Sequence, residues 1–177
     1  MAPYAAFMNL KLTDLFVAEL EREAKGTRRA LECIPAGHGD WKPHAKSFSL
    51  GSLATLTSRM PSWIDMIINM DELDVVPAEG APRPQMLTTA AELVAAHEEA
   101  LTKGREALQR TTDEHLMTNW TLLAKGKKVM ETPRHIVIRD SINHLAHHRG
   151  QLTVYLRLLD AKVPAIYGPS ADDQRWD

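Results

Sequence analysis

The sequence predicts an all-α protein, an antiparallel four-helix bundle forming a single domain over residues 1–177. Three observations predict it. Apolar residues recur at steps of three and four along four long stretches, the mark of a helix with one buried stripe. No stretch shows a strand-like alternation of comparable weight. At 177 residues and 44% hydrophobic composition, the chain is long and apolar enough to bury one core of ordinary size.

The first helix carries its stripe through Leu12, Leu15, Phe16, Leu20, Ala24, Thr27, Leu31 and Ile34. Asn9 or Thr13 can cap its start, and Pro35 and Gly37 end it. A turn-rich loop follows over residues 35–44. The second helix begins at Ser47 or Ser49 and runs to Met70 through Leu50, Leu53, Leu56, Met60, Trp63, Ile64, Ile67 and Ile68. Pro61 lies inside that run and should kink it, because proline removes a backbone donor and crowds the preceding turn. Residues 71–88 read as an acidic, proline-rich connector. Thr89-Ala90-Ala91-Glu92 is a capping box that opens the third helix, which continues to Arg110. Residues 111–131 read as a loop with a short helical turn, or a small hairpin centred on Gly126. Thr132 and Pro133 suit the N-cap and first position of the last helix, which reaches Asp160.

Composition narrows the function classes. Lys and Arg total 21 against 23 Asp and Glu, a formal net charge of −2, so no basic excess favours nucleic acid. The lone cysteine, Cys33, leaves no internal disulfide or multi-cysteine zinc site, as expected of a reducing, cytoplasmic compartment. No leader-like start and no contiguous run of about 18 apolar residues is present, so no membrane role is expected. No glycine-rich phosphate loop and no G-x-S-x-G setting appear, which removes support for a nucleotide cofactor or an elbow serine.

The densest chemistry lies on the last helix, in Asn143-His144-Leu145-Ala146-His147-His148-Arg149-Gly150-Gln151. At about 100° per residue, Ile138, Ile142, Leu145, Leu152, Leu156 and Leu159 share the core arc, and His144 and His148 sit roughly 40° apart at its edge. His147 is expected on the far side, toward solvent. Imidazoles at i and i+4 can both reach about 2 Å from one divalent metal, although the same spacing also occurs on wetted faces that bind nothing. A full site needs a third protein ligand from elsewhere. Asn143 and Gln151 flank the pair as possible hydrogen-bonding supports. Arg149 falls on the apolar arc and would need a carboxylate, with Glu19 or Glu23 as candidates. Tyr155 and the tryptophans Trp41, Trp63 and Trp120 read mainly as packing residues.

The run from Pro133-Arg134 through Arg139 and Asn143 to Arg157 resembles the last helix of the DinB family. The tail from Val163 to Asp172 is similar to that family's ending. Trp41-Lys42-Pro43-His44 with Ser47 and Leu50-Gly51-Ser52-Leu53-Ala54, and Phe16, Glu19 and Arg28-Arg29-Ala30-Leu31, resemble its earlier segments. The resemblance implies a bacterial, metal-dependent four-helix bundle that commonly pairs as a homodimer and acts on a small molecule, by hydrolysis or by thiol transfer. It also implies a zinc or nickel site of three histidines, two of them His144 and His148. The third is expected in a phrase like Leu-Ala-x-His, which here reads Leu53-Ala54-Thr55-Leu56. Leu56 therefore stands where a ligand is expected. His38, His44, His97 and Glu98 are the candidate replacements. The rival expectation is a metal-free bundle that binds a small ligand or a partner without catalysis.

Overall fold

The computed structural model of the chain describes residues 10–76 and 85–176. Four helical segments form the bundle: α1 (Leu12–Glu32), the pair α2 (Leu50–Arg59) and α3 (Trp63–Asn69), α4 (Ala90–Arg110) and α6 (Arg134–Leu158). α1 and the α2–α3 pair each pack on both α4 and α6. A one-turn helix α5 (Asp113–Leu116) and three strands, β1 (Glu72–Asp74), β2 (Asn119–Ala124) and β3 (Lys127–Pro133), complete the fold. The strands correct the all-α expectation: the molecule is mostly helical but carries a three-stranded sheet in the order β1-β2-β3.

Local chemistry explains most element ends. The capping box forms as expected, Thr89 accepting from the Glu92 N–H and the Glu92 carboxylate accepting from the Thr89 N–H. Pro61 breaks the long second helix into α2 and α3 through a 3-10 turn, Met60–Ser62. Two termini differ from expectation. The N-cap of α1 is Lys11, whose side chain caps nothing; instead the Asp113 carboxylate, about a hundred residues away in sequence, accepts from the N–H groups of Leu12 and Thr13. The N-cap of α6 is Pro133 rather than Thr132, because both residues are taken up by β3.

Both readings of residues 111–131 are realised, as α5 and as the β2–β3 hairpin. Lys125 and Gly126 turn that hairpin with φ of 53° and 71°, the two positive angles of a type I′ turn. Asp74 at the end of β1 holds the turn by accepting from the backbone N–H groups of Gly126, Val76 and Lys125, which pulls its carboxyl below the usual range. β1 joins β2 in parallel, Glu72 opposite Thr121, so the sheet is completed by a segment read as connector. The remainder of that connector, 77–84, lies outside the described residues.

Buried side chains separate into two apolar clusters with a polar layer between them. One cluster gathers Phe16, Leu20, Ile64, Leu101, Trp120 and Ile138; the other gathers Leu31, Leu50, Leu53, Leu93, Leu152 and Leu156. Between them in sequence on all four helical segments lie the buried Glu23, Thr27, Thr57, Ser58, His97, His148 and Arg149. Thr27 and Thr57 donate back to carbonyls one turn earlier, and His97 Nε2–H donates to the Ala24 carbonyl. Burial is matched to hydrogen bonding through most of this layer, as polar groups removed from water require, with His97 Nδ1 an exception.

α4 approaches the 3-10 turn closely at Gly104, where an added Cβ would meet the Pro61 carbonyl oxygen at 2.5 Å. A backbone oxygen cannot swing aside as a side chain can. Gly104→Ala is therefore expected to lower stability by about 1–3 kcal/mol in urea unfolding, the usual cost of overpacking. Gly150→Ala on α6, where the added carbon meets nothing within 4 Å, is expected to raise it by about 0.5–1 kcal/mol.

Candidate functional site

α6 brings His144 and His148 together as the spacing predicts, with ring centroids 4.5 Å apart and planes inclined by 35°. His144 is exposed and His148 is buried. His147 departs from expectation. It is exposed, yet its ring lies 5.2 Å from that of His148, so three imidazoles cluster on one stretch of helix. Residues from the second helical segment and the loop before it frame the pair. Trp63 meets His144 edge-on with centroids at 5.6 Å, and Phe48 meets His148 edge-on at 6.4 Å.

One ring of the pair is oriented by a hydrogen bond, and the other is biased toward its neutral form. Gln151, one turn beyond His148, places its amide oxygen 2.8 Å from Nδ1. With that oxygen accepting, Nδ1 carries the proton and Nε2 keeps its lone pair for another partner. Partial desolvation against the helix surface lowers the pKa of the exposed His144 below the usual histidine value, and the neighbouring His148 and His147 lower it further. The neutral ring so favoured is the form a metal needs. A charged histidine there would lose hydration and face its neighbours, so stability tied to this group falls as pH drops through its lowered pKa.

Among the described residues, no third ligand joins them. Leu56 is half-buried on α2, a helix packed on α6, seven residues before the Trp63 that touches His144. The candidate replacements are engaged elsewhere. His38 Nδ1–H donates to the Ala36 carbonyl, and His44 Nδ1 accepts from the Lys46 N–H. His97 is fully buried against α1, its pKa lowered by burial, with Nδ1 left unpartnered. Glu98 pairs with Arg28 at 2.5 Å. Among the described residues, no group of three or more His, Cys, Asp or Glu side chains is arranged to hold a metal ion. The pair thus offers two donor nitrogens, one fewer than the three protein ligands of an ordinary site for a divalent ion.

Other expectations resolve around the pair. Arg149 chooses Glu23, not Glu19, at 2.6 Å; Glu19 pairs with Arg139 instead. Tyr167 from the tail completes that pair, accepting from Arg149 and donating to Glu23. The tail is thereby fastened beside Arg149, and Phe48 of the 35–48 loop lies against the His148 ring. Tyr155 is buried edge-on against Trp41 and donates to the Phe48 carbonyl, which holds the loop over His148. Sequence reasoning missed the cavity of about 430 Å³ that opens beside His144, walled by α3, α6 and the sheet. Its signal was the alternation of Trp120 with Leu122 on β2 and the placement of Met130, which pairs opposite Leu122 across the hairpin.

A mostly helical bundle with an imidazole pair on its last helix and a small sheet against it defines the class of protein. The chain belongs to the DinB family, whose profile matches residues 8–176. It is 28% identical over 162 residues to the uncharacterized protein YrdA of Bacillus subtilis (strain 168), covering 90% of each chain. Its fold is similar to that of a DinB-like protein from Bacillus cereus ATCC 10987, with a TM-score of 0.62 and 24% identity over 86% of this chain and 95% of that one. A DinB-like protein from Bacillus subtilis, YjoA, gives a TM-score of 0.65 at 18% identity, covering 91% of this chain and 99% of that one. Among the described residues, no helix is long and apolar enough to cross a membrane.

Proposed function

We propose that the chain is a metal-dependent enzyme of the hydrolase or thiol-transferase type, in which His144 and His148 hold a zinc or nickel ion. The observation that carries this reading is the imidazole pair itself: rings 4.5 Å apart, one of them oriented by a Gln151 contact at Nδ1 that leaves Nε2 outside that bond. Such an ion acts as a Lewis acid and lowers the pKa of a bound water or thiol. The chain's own residues orient and enclose. Phe48 covers the His148 ring, Trp63 braces His144, and Leu56 supplies an apolar contact surface but no donor atom. The reading includes a homodimer in a reducing cytoplasm and a small-molecule substrate. The half-buried Cys33, its thiol pKa raised by burial, suits that compartment.

Metal titration of untagged protein tests it. About one Zn²⁺ or Ni²⁺ per chain is expected, lost in His148→Ala. Gln151→Ala is expected to weaken binding by roughly 10–100-fold, because the ring it orients becomes free to turn. Leu56→His is expected to tighten binding by supplying the third imidazole. If neither ion binds saturably and Leu56→His changes nothing, the reading falls and the metal-free bundle remains.

A further inference from the structure

The cavity reaches the histidine pair through His144, while His148 is buried and meets Phe48 edge-on. Its walls are Trp63, Leu73, Val75, Trp120, Leu122 and Met130, from α3, the sheet and the chain just after β1. Apart from the indole N–H groups of Trp63 and Trp120, the second of them buried without a partner, the polar side chains of the lining come from α6, where Asp140, Ser141 and His144 lie within little more than one helical turn. A space of about 430 Å³ with aromatic and aliphatic walls and a few convergent polar groups has the form of a small-molecule pocket.

Charge selects among small molecules. Among the described residues lining the cavity there is no lysine or arginine, and the one carboxylate is Asp140. An acidic ligand would enter without a counter-charge and against a like charge, in a setting where the apolar walls replace its hydration. We infer that this cavity is the substrate pocket of the His144–His148 site, and that it takes a molecule with an aromatic or branched aliphatic body and no acidic group. The inference rests on the metal-site reading for the word substrate; the selectivity rests on the walls alone. The apolar body lies against the sheet and Trp63, and the polar end of the molecule faces His144 on α6.

Two fluorescent probes with a shared skeleton test it: neutral N-phenyl-1-naphthylamine and its sulfonated relative 8-anilino-1-naphthalenesulfonate. The neutral probe is expected to bind at least about tenfold more tightly than the anion. Ser141→Phe, which fills the lining from α6, is expected to abolish binding. Met130→Lys on the strand wall should weaken the neutral probe and favour the anion. In histidine-labelled protein the bound neutral probe should shift the His144 ring signals and leave those of His97 unmoved. Equal affinity for both probes, indifference to Ser141→Phe, or a shift at His97 without one at His144 overturns the inference. So does a wild type that binds neither probe and whose sedimenting mass changes in Ser141→Phe, which would make the cavity a seat for a second copy. Each titration is run with and without saturating Zn²⁺. Metal binding without probe binding removes the pocket alone; probe binding without metal binding removes the metal reading and leaves a ligand pocket.

Discussion

Replacing Arg149 by alanine is expected to cost about 3–5 kcal/mol of stability, the penalty for removing one partner of a buried ion pair. Arg149 and Glu23 are 2% and 7% exposed, so neither charge is hydrated. Their contact at 2.6 Å is reinforced by an Arg149 bond to the Glu23 carbonyl, by Thr27 and by the Tyr167 hydroxyl. Without the guanidinium, the carboxylate remains desolvated with the Tyr167 hydroxyl as its remaining side-chain donor among the described residues, and the tail loses an anchor. The double variant Glu23→Leu/Arg149→Met is expected to recover most of the loss, because an apolar pair of similar volume carries no desolvation penalty. Urea unfolding of the wild type, both single variants and the double variant gives the coupling directly. Single variants no less stable than the double variant would show that the pair is not what holds α1 against α6 at this level.

Arg134→Ala is expected to cost at least about 3 kcal/mol and to release the sheet from the bundle, since several acceptors would lose their donor at once. Arg134 is 2% exposed at the first position of α6, and all five of its N–H groups are used. Nε donates to the Ile67 carbonyl; Nη1 donates to the Thr118 hydroxyl and the Asn119 carbonyl; Nη2 donates to the Met70 carbonyl and the Asp71 carboxylate. One planar group thus terminates α3, anchors the start of β2 and fixes the approach to β1. A cation near the C-terminus of α3 also meets the negative end of its dipole. Arg134→Lys is expected to restore little, because an ammonium has three donors and no fixed fork. Hydrogen exchange should show protection lost first in β2 and β3 and retained in α1 and α4. Uniform loss across the molecule would mean that Arg134 supports the whole core and not this junction. The cavity shares that junction through Leu73, Trp120 and Leu122, so Arg134→Ala should also lose the neutral probe.

The legible parts of the fold were those decided within a turn or two of chain. The stripe from Phe16 to Leu31, the Thr89–Glu92 box and the break at Pro61 all depend on neighbours a few residues away, and all appear in the structure, although Leu15, expected on the stripe, is exposed. The His144–His148 adjacency was equally local, since four residues of α-helix place two rings on one face. The sheet was less legible. β1 has only three residues and pairs in parallel with a strand almost fifty residues later, a contact that no local alternation announces. The N-terminus of α1 misled for the same reason: Lys11 is a poor cap, but Asp113 supplies the carboxylate from another helix. His147 was placed by helical angle on the outer face, yet a flexible side chain on an adjacent position still brings its ring near His148.

By itself, the sequence determined the helical spans, the paired imidazoles and the lack of a donor atom at Leu56, because side-chain chemistry and helical period are local properties. Tertiary structure decided that Arg149 meets Glu23, that His97 is spent on the Ala24 carbonyl, and that a hairpin closes an apolar cavity beside His144. Those outcomes depend on which buried groups satisfy one another when segments far apart in sequence pack together. Periodicity along one helix carries no information about which partner arrives from another.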